Sequence, residues 1–598
     1  MSRLQRDLAL LPEDQGKHRR EVAQDPFHAR VDSDFSHQPP VDKCSITYLG
    51  ETFPLNMITG NQSTENKEFL HRTGPAVQKI ESKISTQSRG HPTHIQPEEI
   101  TSLSSRGMFE YPSERLMEEF KLVFLELIYP LYPVVNRDKI VQQLRTKTVP
   151  WILLHSFCFI VSTYCPVSVL VKAQFSSRYA ARVHYYTKAK ALFDCGYEVD
   201  KITTLRSVFF LSFWNSSPSD YWNFSSWTST AVNVAETLGI HRSIAGAKMN
   251  AQDRSLRRRL WWILVIRDSS FATVLGRPFR INTDSSDARP LAMEDFQHEI
   301  ESSDFESVSL GHEFALYQIH LSKLCLISRQ ILTTRNQSTA QTLQGTVPDY
   351  NVILKAWRKK LPPELDWVVD HPGTNIFSWS LSIVFDHNVI LANAEQFSSG
   401  IGKQPCLSRH GAGCVCDRVC RGIDSAARRI LTQACKIMRM SAQFSVLHEI
   451  FPGLFAAEAV FLSQAKSHQP GRTLLGSLSL TTCQLIWKSA EEVWKPARWI
   501  MDLFDALISD MPLGDLCCFE TVENTDHCPA LTDQSACQIP RNVENDSWQN
   551  QSTLPEPSAL EISSDGVQFS EPEDAYLFPC SPQPETIDTT PFSDMCFT

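Results

Sequence analysis

Leu256-Arg257-Arg258-Arg259-Leu260-Trp261-Trp262-Ile263-Leu264-Val265-Ile266-Arg267-Asp268 opens on three arginines, runs unbroken through apolar side chains and closes on an Arg-Asp pair. An apolar run of this length is hydrophobic all round, which predicts a helix buried in the body of a large protein. Three arginines and two indoles suit phosphate contact and base stacking. An embedded helix favours a different use: the arginines pair internally with carboxylates such as Glu236 or Asp268, because a guanidinium fork suits a partly buried, bidentate partner.

Working outward, Trp227, Ala231, Val234, Ala235 and Leu238 recur at helical spacing, and Gly239 follows as a residue able to take the left-handed conformation that ends a helix. Leu116, Phe120, Val123, Phe124 and Leu127 fall on one helical face after Pro112, where a folded body is expected to begin. Trp151 to Val171 carries no Asp, Glu, Lys or Arg and has the length of a membrane span. His155, Ser156, Ser162, Thr163, Pro166 and Ser168 dilute it, so a buried core helix is the better reading. Leu485, Ile486, Ala490, Val493 and Trp494 start a further helix, which Pro496 kinks or restarts before Trp499 to Ile508. Nothing in the body alternates apolar and polar residues long enough for a sheet. The fold class is all-α: a large helical domain over residues 111–510.

The 598 residues exceed what one core usually holds, and roughly two to four units are expected, counting disordered ones. Residues 1–110 are rich in Ser, Thr, His, Pro and charge and are expected to be largely disordered. Their cluster Lys17-His18-Arg19-Arg20 reads as a solvated charge run, with a nuclear import element or phosphate-binding arm as alternatives. In residues 511–598, bulky apolar groups sit among acids: Tyr576, Leu577 and Phe578 beside Glu571, Glu573 and Asp574, and Phe592 and Phe597 around Asp594. That is the composition of an amphipathic activation segment that folds against a partner.

Net charge is −10, from 57 Lys and Arg against 67 Asp and Glu, so the chain as a whole is no polycation and any nucleic-acid contact must come from a local patch. With the arginines of the buried helix read as internal partners, direct DNA binding is not expected. Seventeen scattered cysteines and the lack of an N-terminal signal peptide fit a reducing intracellular compartment. There is no nucleophile elbow, His-Glu-x-x-His, Walker loop or dinucleotide fingerprint. Asp284 and Asp287 are the nearest acidic pair and lie in a Ser-rich loop, so no catalytic residues are assigned and an enzyme is not expected.

One dense cysteine group exists: Cys406, Cys414, Cys416 and Cys420. Four thiolates can hold one zinc ion, but their spacing matches no paired Cys-x-x-Cys pattern. An exposed, redox-sensitive loop is preferred, with zinc as the alternative, and no other cofactor is expected. His241 can titrate or bind metal, yet no second ligand stands at matching spacing, and a structural hydrogen-bonding role is preferred. Gly276-Arg277-Pro278 is too short for a phosphate cradle and reads as a rigid turn.

Several blocks occur in a familiar order: Ala181-Arg182 with Tyr185-Tyr186, Ala189 to Phe193, Leu211 to Trp214, Ala235 to Arg242, Arg257 to Trp262, Arg267-Asp268 and Gly276 to Pro278. Together they resemble the fungal-specific transcription factor domain, the middle homology region of the fungal zinc-cluster factors, and most of all its cutinase transcription factor type. Phe120 to Val135 is similar to its opening helix. The resemblance is close over 115–300 and looser over 300–510. It implies a nuclear regulator of a pathway or secondary-metabolite gene cluster and a scaffold-like role for these residues. It also implies two zinc ions on six N-terminal cysteines, whereas the first 150 residues contain Cys44 alone. The expectation is therefore a regulator, most simply an activator, without its own zinc-cluster reader. It would work through transcription machinery or a DNA-bound partner protein, a small-molecule effector or a homodimer. The alternatives are a helical small-molecule-binding or catalytic protein that kept only the fold, and a sequence-specific DNA-binding factor whose N-terminus lies upstream.

Overall fold

A computed structural model describes residues 46–49, 69–72, 91–215, 220–243, 249–301, 312–338, 348–367, 375–401, 415–440, 447–467 and 469–509. Tyr576, Leu577, Phe578, Phe592 and Phe597 lie outside them, as do Cys406 and Cys414. The body is all-helical. Apart from it, β1 (Ile46–Leu49) and β2 (Phe69–Arg72) pair antiparallel, with Ile46 opposite Arg72.

The first half of the body comprises α1 (Pro97–Ser105), α2 (Glu114–Val123), α3 (Arg137–Arg145), α4 (Trp151–Tyr164), α5 (Val167–Lys172), α6 (Arg178–Asp194), α7 (Lys201–Leu211) and α8 (Phe224–Thr237). Then come α9 (Ala251–Leu275), the single turn α10 (Gln297–Ile300), α11 (Glu313–Ser338), α12 (Tyr350–Lys359) and α13 (Ile376–Ile401). α14 (Val415–Met440), α15 (Phe451–Ala465), α16 (Pro470–Ala490) and α17 (Pro496–Ser509) complete it. One continuous cluster of buried apolar side chains runs from Leu116 to Phe504.

The body starts earlier than Pro112. α1 buries Leu103, which joins Ile95, Met108, Ile152, Leu192 and Tyr197 in a satellite cluster on α4 and α6. Lys188 of α6 donates to the Gly107 carbonyl at 2.7 Å, closing that corner. Three well-placed apolar residues suffice where a preformed helical face waits for them, although they are too sparse to show a period in the sequence.

α4 is buried around its whole circumference from Ile152 to Tyr164. Pro166 ends it and begins α5, so the apolar stretch is two short helices. No helix among the described residues is long and apolar enough to cross a membrane. Likewise the proline at 496 separates α16 from α17 rather than kinking one helix.

α9 is the axis of the body, packing on α8, α11 and α15. Asn250 caps its start, its side chain accepting from Asp253 N at 2.7 Å. Gly276 ends it at φ +60°, and Arg277 N returns to the Ala272 carbonyl at 3.0 Å. Gly239 closes α8 with φ +62°.

Candidate functional site

After Gly276 the chain turns back along α9 as a strap, residues 277–300. Asp268 holds its start by accepting from Arg280 N at 3.0 Å and Ile281 N at 3.1 Å. Further along, Trp262 donates its indole N–H to the Arg289 carbonyl at 2.8 Å. Arg258 then meets Asp295 at 2.5 Å and Arg259 meets Glu299 at 2.7 Å. Asp295 and Glu299 stand four residues apart, and Phe296 and Ile300 share that spacing. One short segment thus offers two carboxylates to the arginines and two apolar groups to the core.

The Glu299 carboxylate is a junction. It also accepts from the Tyr129 hydroxyl at 2.5 Å and from Arg137 N at 2.9 Å, while Arg259 reaches Asn136 Oδ1 at 3.0 Å. Burial, with the Glu299 charge beside it, holds the Tyr129 phenol protonated well above its ordinary range. Glu236, the carboxylate expected beside the arginines, makes no such pair among the described residues; its side chain is exposed, and the partial desolvation it meets raises its pKa. Asp268 pairs with Arg329 of α11 at 2.9 Å instead. Arg329 also donates to Ser269 Oγ at 3.1 Å and to the Ile281 carbonyl, and lies 4.0 Å over the Phe279 ring. Asp268 stands roughly three turns further along α9 than Arg258 and Arg259, where the neighbours are α11 and the start of the strap rather than Glu236 or the arginines.

Arg267 is fully buried. It donates to Ser212 Oγ at 2.9 Å and to the Ser212 carbonyl at 3.1 Å, and it stacks 3.6 Å over Phe213. His448 lies 3.4 Å from its Nη1 and 3.0 Å from the Tyr164 hydroxyl. Next in the chain, Glu449 accepts from the Tyr132 hydroxyl at 2.9 Å, and burial raises its pKa against the pull of Arg267. This seam joins α4, α7, α9 and the turn before α15.

Arg182 takes the Phe213 carbonyl at 3.3 Å between Phe159 and Trp214, and burial pushes its guanidinium down to about 10. Tyr186 stacks on Trp214 at 3.9 Å and accepts from the Trp227 indole at 3.2 Å. Trp261 is buried, with the His241 ring 5.7 Å away. The His241 carbonyl accepts from Ser286 Oγ at 2.7 Å and from Ala288 N at 3.2 Å, and burial lowers the pKa of the ring.

Where the start of α9, the Gly239 turn and the strap meet, a concavity of about 90 Å³ opens to solvent, walled by Gly239, Arg242, Arg254, Arg257, Arg258 and Arg289. Arg242 lies 3.5 Å from Asp287, and Arg254 donates to the Met249 carbonyl at 2.9 Å. Arg257 donates to the Leu238 carbonyl at 3.0 Å; burial pushes its pKa down, opposed by nearby Asp253. Arg277 and Pro278 line a separate shallow dent with Asp268.

Cys416 and Cys420 lie one turn apart near the start of α14, and among the described residues no group of three or more His, Cys, Asp or Glu is placed to hold a metal. Sequence reasoning missed Asp295, Glu299, Arg329, His448 and Glu449. The signal for the first two was the paired spacing of Asp295 and Glu299 with Phe296 and Ile300; the other three gave none.

Residues 122–368 match the fungal specific transcription factor domain. The match runs past residue 300, through the strap, α11 and α12. The chain is 26% identical to cutinase transcription factor 1 alpha of Fusarium vanettenii over 490 residues, 80% of this chain and 52% of that protein. It is 28% identical to the acetamidase regulatory protein of Aspergillus fumigatus over 42% of this chain and 32% of that protein. With the fusaric acid cluster transcription factor of Gibberella fujikuroi it shares 25% identity over 44% of this chain and 39% of that protein. The chain thus spans about half the length of the first of these relatives and less of the others. No solved structure matches it.

Proposed function

We propose that this chain regulates transcription of pathway genes in the nucleus. Its helical body serves as the regulatory scaffold, and residues 511–598 recruit transcription machinery. The observation that carries the reading is the alignment with the cutinase factor over 490 residues, which is longer than the matched domain. Relatives named for acetamidase regulation and for a fusaric acid cluster support pathway genes as the target class. DNA contact is assigned to a DNA-bound partner protein, since buried partners engage Arg258, Arg259 and Arg267. A small-molecule effector or a second copy of the chain sets the output.

Transcript profiles of a deletion strain test the proposal directly: a coherent group of genes should change and be restored by the intact gene. In parallel, residues 511–598 fused to an unrelated DNA-binding domain should raise reporter output. An unchanged profile removes the regulatory reading; a silent fusion removes the activating tail.

A further inference from the structure

Five guanidinium groups wall the concavity at the start of α9, and among the described residues the carboxylates shown to reach them are Asp253, Asp287 and Asp295, fewer than the guanidiniums. Arg258 and Arg242 are drawn toward carboxylates, whereas among the described residues Arg254 and Arg257 donate to backbone carbonyls. Arg289 is exposed, with its backbone pinned by Trp262. A partly desolvated cation is stabilised by an anion in the same site, and guanidinium forks match carboxylate and phosphate oxygens.

We propose that this concavity binds a compact multivalent anion, a small molecule bearing two or more carboxylate or phosphate groups. The concavity is small and open to solvent, so its walls are within reach of a compact ligand and too close together for a bulky one. It is a recess rather than a ridge that could enter a groove, and the chain's net charge of −10 repels a long polyanion more strongly than a small one. The ligand joins three segments that are otherwise separate in sequence: the turn after α8, the first turns of α9 and the strap. The inference rests on the effector arm of the proposed function and supplies its chemistry and address.

The test is calorimetric titration of the full chain with citrate and, separately, with inorganic phosphate at constant ionic strength. Saturable binding of either supports the site, and the stronger of the two assigns carboxylate or phosphate. Arg254→Gln with Arg289→Gln, both at exposed positions, should weaken binding about tenfold for each guanidinium removed. Arg145→Gln, exposed on α3, should bind as the unaltered chain does. Absence of heat with both anions, undiminished binding by the double variant, or displacement of the anion by a DNA duplex overturns the proposal. A failed titration beside a changed deletion profile removes the pocket and keeps the regulator. Intact binding beside a double-variant strain of unaltered transcript profile removes the effector role and keeps the site.

Discussion

Glu299 places one carboxylate oxygen 2.7 Å from Arg259 Nη2 across forty residues of sequence, with the two side chains 6% and 1% exposed. The same carboxylate takes the Tyr129 hydroxyl and the Arg137 amide, so α9, the strap and the segment after α2 share one charge pair.

Removing one partner leaves a buried, uncompensated charge, the costly half of such a pair. Glu299→Ala should lower stability by about 3–5 kcal/mol, read from the urea midpoint. Arg259→Met with Glu299→Leu should recover much of that loss, because no charge is stranded. A Glu299→Ala protein with an unaltered midpoint would show that Arg259 finds water instead.

Asp268 tethers the strap at its start. Asp268→Asn replaces one acceptor oxygen by a donor, which then faces Arg329, Arg280 N or Ile281 N. The expected loss is about 1–3 kcal/mol, concentrated in the strap. Limited trypsin digestion followed by mass spectrometry should show faster cleavage after Arg280, with sites outside the strap cut at their former rate. Uniform acceleration across the body would mean that Asp268 supports global rather than local stability.

α9 was legible because an unbroken apolar run between charged ends describes a buried helix and little else, although the helix runs on past Asp268 to Leu275 and Gly276 ends it. Gly239 was legible because it takes a backbone conformation few residues adopt. The arginines' partners were not. Asp295 and Glu299 sit 37 and 40 residues from Arg258 and Arg259, in a 3₁₀ turn and a single helical turn too short to carry a period. Glu236 and Asp268, the carboxylates expected beside the arginines, are nearer in sequence, but nearness in sequence does not set direction on a helix. The arginine-walled concavity was invisible in the same way: Arg289 belongs to the strap, and only the strap's reversal along α9 brings it beside Arg242 and the start of that helix.

His155 donates from Nε2 to the Met108 carbonyl at 2.7 Å, and burial pushes its pKa from 6.5 to about 4. Between those values the unfolded chain binds a proton that the folded one refuses, so this residue's contribution is complete above pH 6.5 and lost as pH falls toward 4. His155→Leu removes the linkage along with the hydrogen bond. Urea midpoints should therefore show a constant gap between the two proteins above pH 6.5 that narrows steadily toward pH 4. Parallel curves over that range would place His155 in contact with water.

Two glycines separate strain from crowding. At Gly276 a Cβ would meet nothing within 4 Å, so Gly276→Ala carries only the left-handed backbone penalty, about 1–2 kcal/mol. At Gly476 of α16 the Cβ would stand 2.5 Å from Ala465 N and 2.8 Å from the Phe461 carbonyl oxygen. Those are backbone atoms of α15 and its end and cannot rotate aside, so α16 has to move bodily. The helices are also tied by the Trp487 indole donating to Glu458 Oε2 at 2.7 Å, a bond that such a shift stretches. Gly476→Ala should accordingly lower the urea midpoint more than Gly276→Ala, and Gly276→Asn should lower it least, since asparagine tolerates the left-handed region. The reverse order would mean that α16 and α15 separate without loss and that their close approach does not hold the C-terminal half of the body together.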